Sequence, residues 1–134
     1  MHRTLPESSR LSASGQNGPR LRDPRRKEMI MKKVRITVKR IAQYDDLIKE
    51  YENPIEHACS MRLGETFICN GWEKPEGFCG SAWDTVSPFV MALAHGGENL
   101  YDGWMKDPKS AMISCNDGFR PVSFLLETMN EDAV

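Results

Sequence analysis

An α+β fold is predicted by three features of the chain: period-two alternation over residues 34–38, a helical apolar face over 82–94, and a hairpin signal around 116–119. The expected architecture is a small antiparallel sheet of about four strands, including a C-terminal hairpin, packed against two helices behind a disordered N-terminal leader. Residues 1–30 are expected to form a basic leader, 31–129 a single domain, and 130–134 a flexible C-terminus.

The leader is rich in Ser, Arg, Gly and Pro and has almost nothing to bury, so ordering it would cost about 1–2 kcal/mol of backbone entropy per residue without return. An organelle transit peptide is the alternative, but Pro6, Pro19 and Pro24 interrupt any amphipathic helix. From Met31 onward the pattern changes. Val34, Ile36 and Val38 alternate with Arg35, Thr37 and Lys39, which predicts a strand with one buried face. Asp45 and Asp46 suit a helix N-terminus, Leu47, Ile48 and Tyr51 supply its apolar side chains, and Asn53-Pro54 ends it. Residues 55–64 read as a loop and 65–70 as a second strand.

The segment from Trp72 to Gly80 is turn-rich and delivers Cys79 to the longest helix. Ser81 with Asp84 resembles a capping box, Ala82, Trp83, Val86, Phe89, Val90, Leu93 and Ala94 share one face, and Gly96-Gly97 ends the helix. Pro88 removes a backbone donor, so a kink is expected near Asp84 and Thr85. Residues 98–110 read as polar loop. In the final hairpin a four-residue loop at 116–119 keeps Pro121 out of a hydrogen-bonded pair, giving Cys115 opposite Arg120, Ile113 opposite Val122 and Ala111 opposite Phe124.

The net charge of −1 over 134 residues conceals an asymmetry. Residues 1–28 carry seven basic side chains (Arg3, Arg10, Arg20, Arg22, Arg25, Arg26, Lys27) against three acidic ones (Glu7, Asp23, Glu28), a balance of +4 that leaves 11 basic and 16 acidic residues, or −5, for the rest. Such a domain lacks the electrostatic footprint of a phosphate-backbone binder, so nucleic acid is not an expected partner. No apolar run reaches the roughly 20 residues of a membrane span, and no signal-peptide run opens the chain. With four cysteines and no secretory signal, the expectation is the cytoplasm, where thiols serve as core residues, metal ligands or reactive groups.

Two cysteines occupy places that favour thiolate: Cys79 before a helix N-terminus and Cys115 across from Arg120. Cys59, in the loop after the first helix, is within reach of either. Three soft ligands from loop, helix start and hairpin would suit zinc, or an iron–sulfur cluster completed by a ligand such as His57. The spacings are long and contain no C-x-x-C pair, so the competing reading is that these cysteines simply fill the core, as Cys69 is expected to do beside Phe67. His95 before Gly96-Gly97 suits a helix C-terminus, Asp84 a cap, and Asp107-Pro108 and Asp117-Gly118 turns. There is no H-E-x-x-H, no phosphate loop and no marked carboxylate pair, so no reaction class is implied. Trp72 and Trp104 flank the long helix as lids over the core or walls of a small-molecule site.

The segments K-P-E-G-F-C (74–79), A-W-D (82–84), P-F-V-M-A-L-A (88–94) with G-G (96–97), W-M-K-D-P (104–108) and D-G-F-R-P-V (117–122) resemble a family of small uncharacterised bacterial and archaeal proteins. The resemblance extends over residues 31–127 and includes M-K-K-V-R-I-T-V (31–38). It implies retained cysteines at Cys59, Cys79 and Cys115, none at Cys69, and no established activity, substrate or cofactor. The chain has Ser114 where that family often has a cysteine and Ser60 where it commonly has a proline, so a vicinal cysteine pair is lacking. The expected function is thiolate metal binding or redox activity at Cys59, Cys79 and Cys115. The alternative is a non-enzymatic small-ligand or protein-interaction module, with cysteines as packing and Trp72, Trp104 and Arg120 lining the ligand surface.

Overall fold

Val34, Ile36 and Val38 are fully buried, and the remaining elements assemble around the strand that carries them. The computed structural model describes residues 30–134; the expected leader lies outside the described residues. The elements are β1 (Lys32–Ile41), α1 (Asp45–Tyr51), β2 (Thr66–Cys69), α2 (Gly80–Ala94), α3 (Leu100–Gly103), β3 (Ser110–Ser114) and β4 (Val122–Asp132). The four strands form one antiparallel sheet in the order β2-β1-β4-β3, giving the α+β fold expected. Among the described residues, no helix is long and apolar enough to cross a membrane.

Because β1 pairs on both sides, its buried face meets a buried residue on each neighbour. Ile36 stands between Phe67 of β2 and Leu126 of β4, and Leu126 in turn faces Ala111 of β3; Val38 and Ile113 flank Phe124 in the adjacent row. Each of these large side chains contributes about 1.5–3 kcal/mol by leaving water. α2 closes this face with Ala82, Val86, Val90, Leu93 and Ala94, the spacing of a helix stripe. The helix runs uninterrupted through Pro88, whose exposed position leaves the unpaired Asp84 carbonyl open to water.

Four local expectations are corrected. The N-cap of α2 is Cys79, with no side-chain cap, because the Ser81 hydroxyl donates instead to Asn116 Oδ1 at 2.8 Å. α1 forms where expected, but its apolar side chains Leu47, Ile48 and Tyr51 are not buried. β4 continues to Asp132, past the start of the flexible tail expected at 130–134: Asp132 pairs with Lys32, and the Ala133 N–H donates to Met31 O at 2.7 Å. Residues 98–110 include the single turn α3, in which Asn99, Tyr101 and Asp102 adopt left-handed φ of 55°, 51° and 62°. That conformation costs roughly 1–2 kcal/mol per residue.

The hairpin register is also displaced. Ala111 pairs with Leu126, Ile113 with Phe124 and Ser114 with Ser123, two residues beyond the expected partners, and the Cys115 N–H donates to Val122 O at 2.9 Å. The loop therefore spans 116–121. Asp117 organises it by accepting the Phe119 and Arg120 N–H groups at 2.8 and 3.1 Å, and Pro121, which lacks an amide donor, accepts Ala42 N–H through its carbonyl at 2.9 Å. A two-residue shift preserves side-chain parity, so the apolar residues still face α2.

α2 ends in a Schellman motif: Gly96, at φ +88°, donates to Leu93 O at 3.2 Å, and Gly97 donates to Ala92 O at 2.8 Å. A β-carbon at Gly97 would lie 2.6 Å from that oxygen. Gly97→Ala is expected to lower stability by about 1–3 kcal/mol, read as a reduced urea midpoint with an unchanged slope.

Cys69 is 1% exposed, and burial pushes its thiol from the ordinary 9.0 up to about 12. Between those values the unfolded chain ionises first, so the stability contributed by a neutral buried thiol is complete below pH 9 and is lost as pH rises toward 12. In urea titrations from neutral to alkaline pH, Cys69→Ala is expected to lose stability less steeply above pH 9 than the native chain. Parallel slopes would contradict that assignment.

Candidate functional site

A cavity of about 460 Å³ opens where the loop after α1, the start of α2 and the loop after β3 meet, and Cys59, Cys79 and Cys115 all line it. Each cysteine arrives by a different device. After Asn53-Pro54 the chain runs exposed through residues 53–60 until Met61 inserts into the core; the Met61 N–H donates to Cys59 Sγ at 3.3 Å. Cys59 therefore belongs to an exposed strap that is fixed just beyond it.

Cys79 follows Phe78, a buried residue whose ring contacts Phe67 edge-to-face at 5.0 Å and Phe124 at 5.2 Å. A turn with Gly77 at φ +79° and a Phe78 N–H to Pro75 O bond of 3.1 Å leads into it, and Lys74 Nζ donates to Phe78 O at 2.7 Å. The Cys79 carbonyl accepts from Trp83 N–H at 2.9 Å, opening α2. The cysteine thus stands at the end of a buried anchor and the beginning of a helix.

Cys115 closes the β3–β4 ladder. Its own N–H reaches Val122 O, while Val122 N–H donates to Cys115 Sγ at 3.2 Å, so the sulfur takes a position in the ladder's bonding. Asn116 then bridges to the first turn of α2, accepting from Ser81 Oγ at 2.8 Å and donating through Nδ2 to Ser81 O at 3.4 Å. That bridge fixes Cys79 and Cys115 relative to one another. Among the described residues, no three His, Cys, Asp or Glu side chains form a ready-made metal cage.

Arg120 lines the same cavity, but it is neither opposite Cys115 in the ladder nor free to serve it as an unpaired cation. Its Nη1 approaches the Glu52 carboxylate oxygens at 2.8 and 3.0 Å, so its charge is compensated from across the fold. The amide of Val122, not the guanidinium, meets the Cys115 sulfur. Glu52 gave no local signal in the sequence because its partner lies 68 residues away. Ser81 and Asn116 were legible only as a cap and a turn.

The remaining candidates lie elsewhere. His57 sits on the exposed strap outside the cavity lining, and His95 donates its ring Nδ1–H to Met91 O at 2.8 Å at the end of α2. Trp72, 69% exposed, lines a separate depression with Met31 and Val134, and Trp104, 50% exposed, packs edge-to-face on Tyr101. Both tryptophans are exposed, and neither is among the residues lining the cavity that holds Arg120 and the three thiols. Cys69 alone among the cysteines is fully buried, paired with Val34 on the core face of the sheet.

Comparison with known proteins finds no match to this chain among protein-family models, curated proteins or solved structures.

Proposed function

We propose that the cavity is a thiolate site at which Cys59, Cys79 and Cys115 together bind a thiophilic metal ion, zinc or iron. The observation that carries this reading is selective: three cysteines from three separated segments line one cavity, while the fourth is core. Cys79 and Cys115 are half-buried against the core, whereas Cys59 is exposed, so packing alone does not account for the third thiol. Soft thiolates suit such ions, and three of them leave one coordination position for a further ligand. The cavity is far larger than an ion, with Ser81 and Asn116 on its walls, which supports an additional small ligand.

Binding would release the thiol protons, so affinity should fall with acidification. A reducing compartment such as the cytoplasm would keep these thiols available. The acidic balance of the domain, −5 after residue 28, argues against a nucleic-acid partner.

Protein purified without oxygen is expected to carry one equivalent of zinc or iron by elemental analysis. Cys59→Ala, Cys79→Ala and Cys115→Ala should each lower that content, and Cys69→Ala should not. Metal-free native protein in which one cavity thiol alkylates rapidly near neutral pH would replace metal binding with redox or nucleophilic thiol chemistry at the same residues. Metal-free protein with three inert thiols would sink both.

A further inference from the structure

We propose that the Glu52–Arg120 ion pair is a latch that sets where Cys59 stands over the cavity, making both charged groups positioning residues of the thiol site; this rests on the thiolate reading above. α1 buries no side chain, and residues 53–60 are all exposed, so hydrophobic packing does not locate the chain between Tyr51 and Met61. Three polar contacts tie this part of the fold to the hairpin loop: Ala42 N–H to Pro121 O, Tyr44 N–H to Phe119 O, and Glu52 to Arg120. The first two precede α1. Only the ion pair stands on the Cys59 side of the helix.

The pair is built to hold. Its side chains are 16% and 15% exposed, so solvent screens it less than a surface pair, and one guanidinium nitrogen meets both carboxylate oxygens. Arg120 is itself fixed, because its backbone N–H donates to Asp117 Oδ1 at 3.1 Å within the loop that begins beside Cys115. The ion pair therefore connects the strap's origin to the frame of Cys115. Met61 holds the strap's other end, and its N–H reaches the Cys59 sulfur directly. With both ends fixed, Ala58, Cys59 and Ser60 of the strap line the cavity, and Cys59 is the thiol whose position depends on the latch. Cys79 and Cys115 have their own link through Ser81 and Asn116.

Glu52 does not line the cavity, so replacing it leaves the walls intact and isolates positioning from direct contact. The test uses the full chain, with zinc affinity measured by chelator competition and iodoacetamide modification of the metal-free protein followed cysteine by cysteine. Glu52→Gln and Arg120→Gln are expected to weaken zinc binding about 10- to 100-fold, the range for groups that orient metal ligands. In the Cys59→Ala background Glu52→Gln should cost nothing further, since the latch acts through that thiol. In the metal-free variants Cys59 should alkylate at a changed rate while Cys79 and Cys115 keep theirs. The reversed pair, E52R with R120E, should restore both readouts.

Multiplying losses in the Glu52→Gln, Cys59→Ala combination would overturn the latch, as would a Cys59 rate unmoved by Glu52→Gln. A reversed pair that folds by circular dichroism yet restores nothing overturns it too; if that variant does not fold, the two glutamine variants decide. Should native protein bind no zinc, the metal reading falls separately. The Cys59 rate then decides the latch by itself.

Discussion

The burial of Phe78 joins the site to the fold. Its ring meets Phe67 on β2, Phe124 on β4 and Trp83 on α2, so one side chain links the two strands flanking β1 to the helix covering them. Full burial of such a ring contributes about 1.5–3 kcal/mol, and well-oriented aromatic pairs add about 0.5–1.5 kcal/mol. Because Cys79 is the next residue, its position is determined by the packing of the core. A thiol held this way has little freedom of its own.

Around that anchor the cavity is assembled from parts of unequal rigidity. Cys115 is held within the ladder and joined to the first turn of α2 by Asn116 and Ser81. Cys59 rides on an exposed strap whose nearest fixed points are Met61 and an ion pair. Two thiols are thus tied to the frame of the sheet and helix, and the third to a separate segment. The same separation explains how three thiols line one cavity without forming a closed cage.

Polar groups perform most of the positioning at this end of the molecule. Asp117 shapes the hairpin loop, Glu52 compensates Arg120, and Lys74 steadies the Phe78 carbonyl before the helix begins. The opposite end follows different rules. There Asn99, Tyr101 and Asp102 hold left-handed backbone conformations, and Tyr101 packs between Phe89 and Trp104. That aromatic turn is remote from the thiols in character as well as in lining.

By itself the sequence determined what depends on periodicity and local stereochemistry: the buried face of β1, the apolar stripe of α2, the Gly96-Gly97 stop, and the core place of Cys69 beside Phe67. These properties are written within a few consecutive residues, since strand parity and helix spacing require no distant partner. The tertiary structure alone decided the hairpin register, because Pro121 permits more than one loop and pairing beyond β3 selects among them. It also decided that Ser81 reaches Asn116 instead of capping its own helix, and that Arg120 is matched by Glu52. Those contacts join residues 35 and 68 positions apart, and a polar side chain's partner is fixed by whichever group the folded chain brings within about 3 Å.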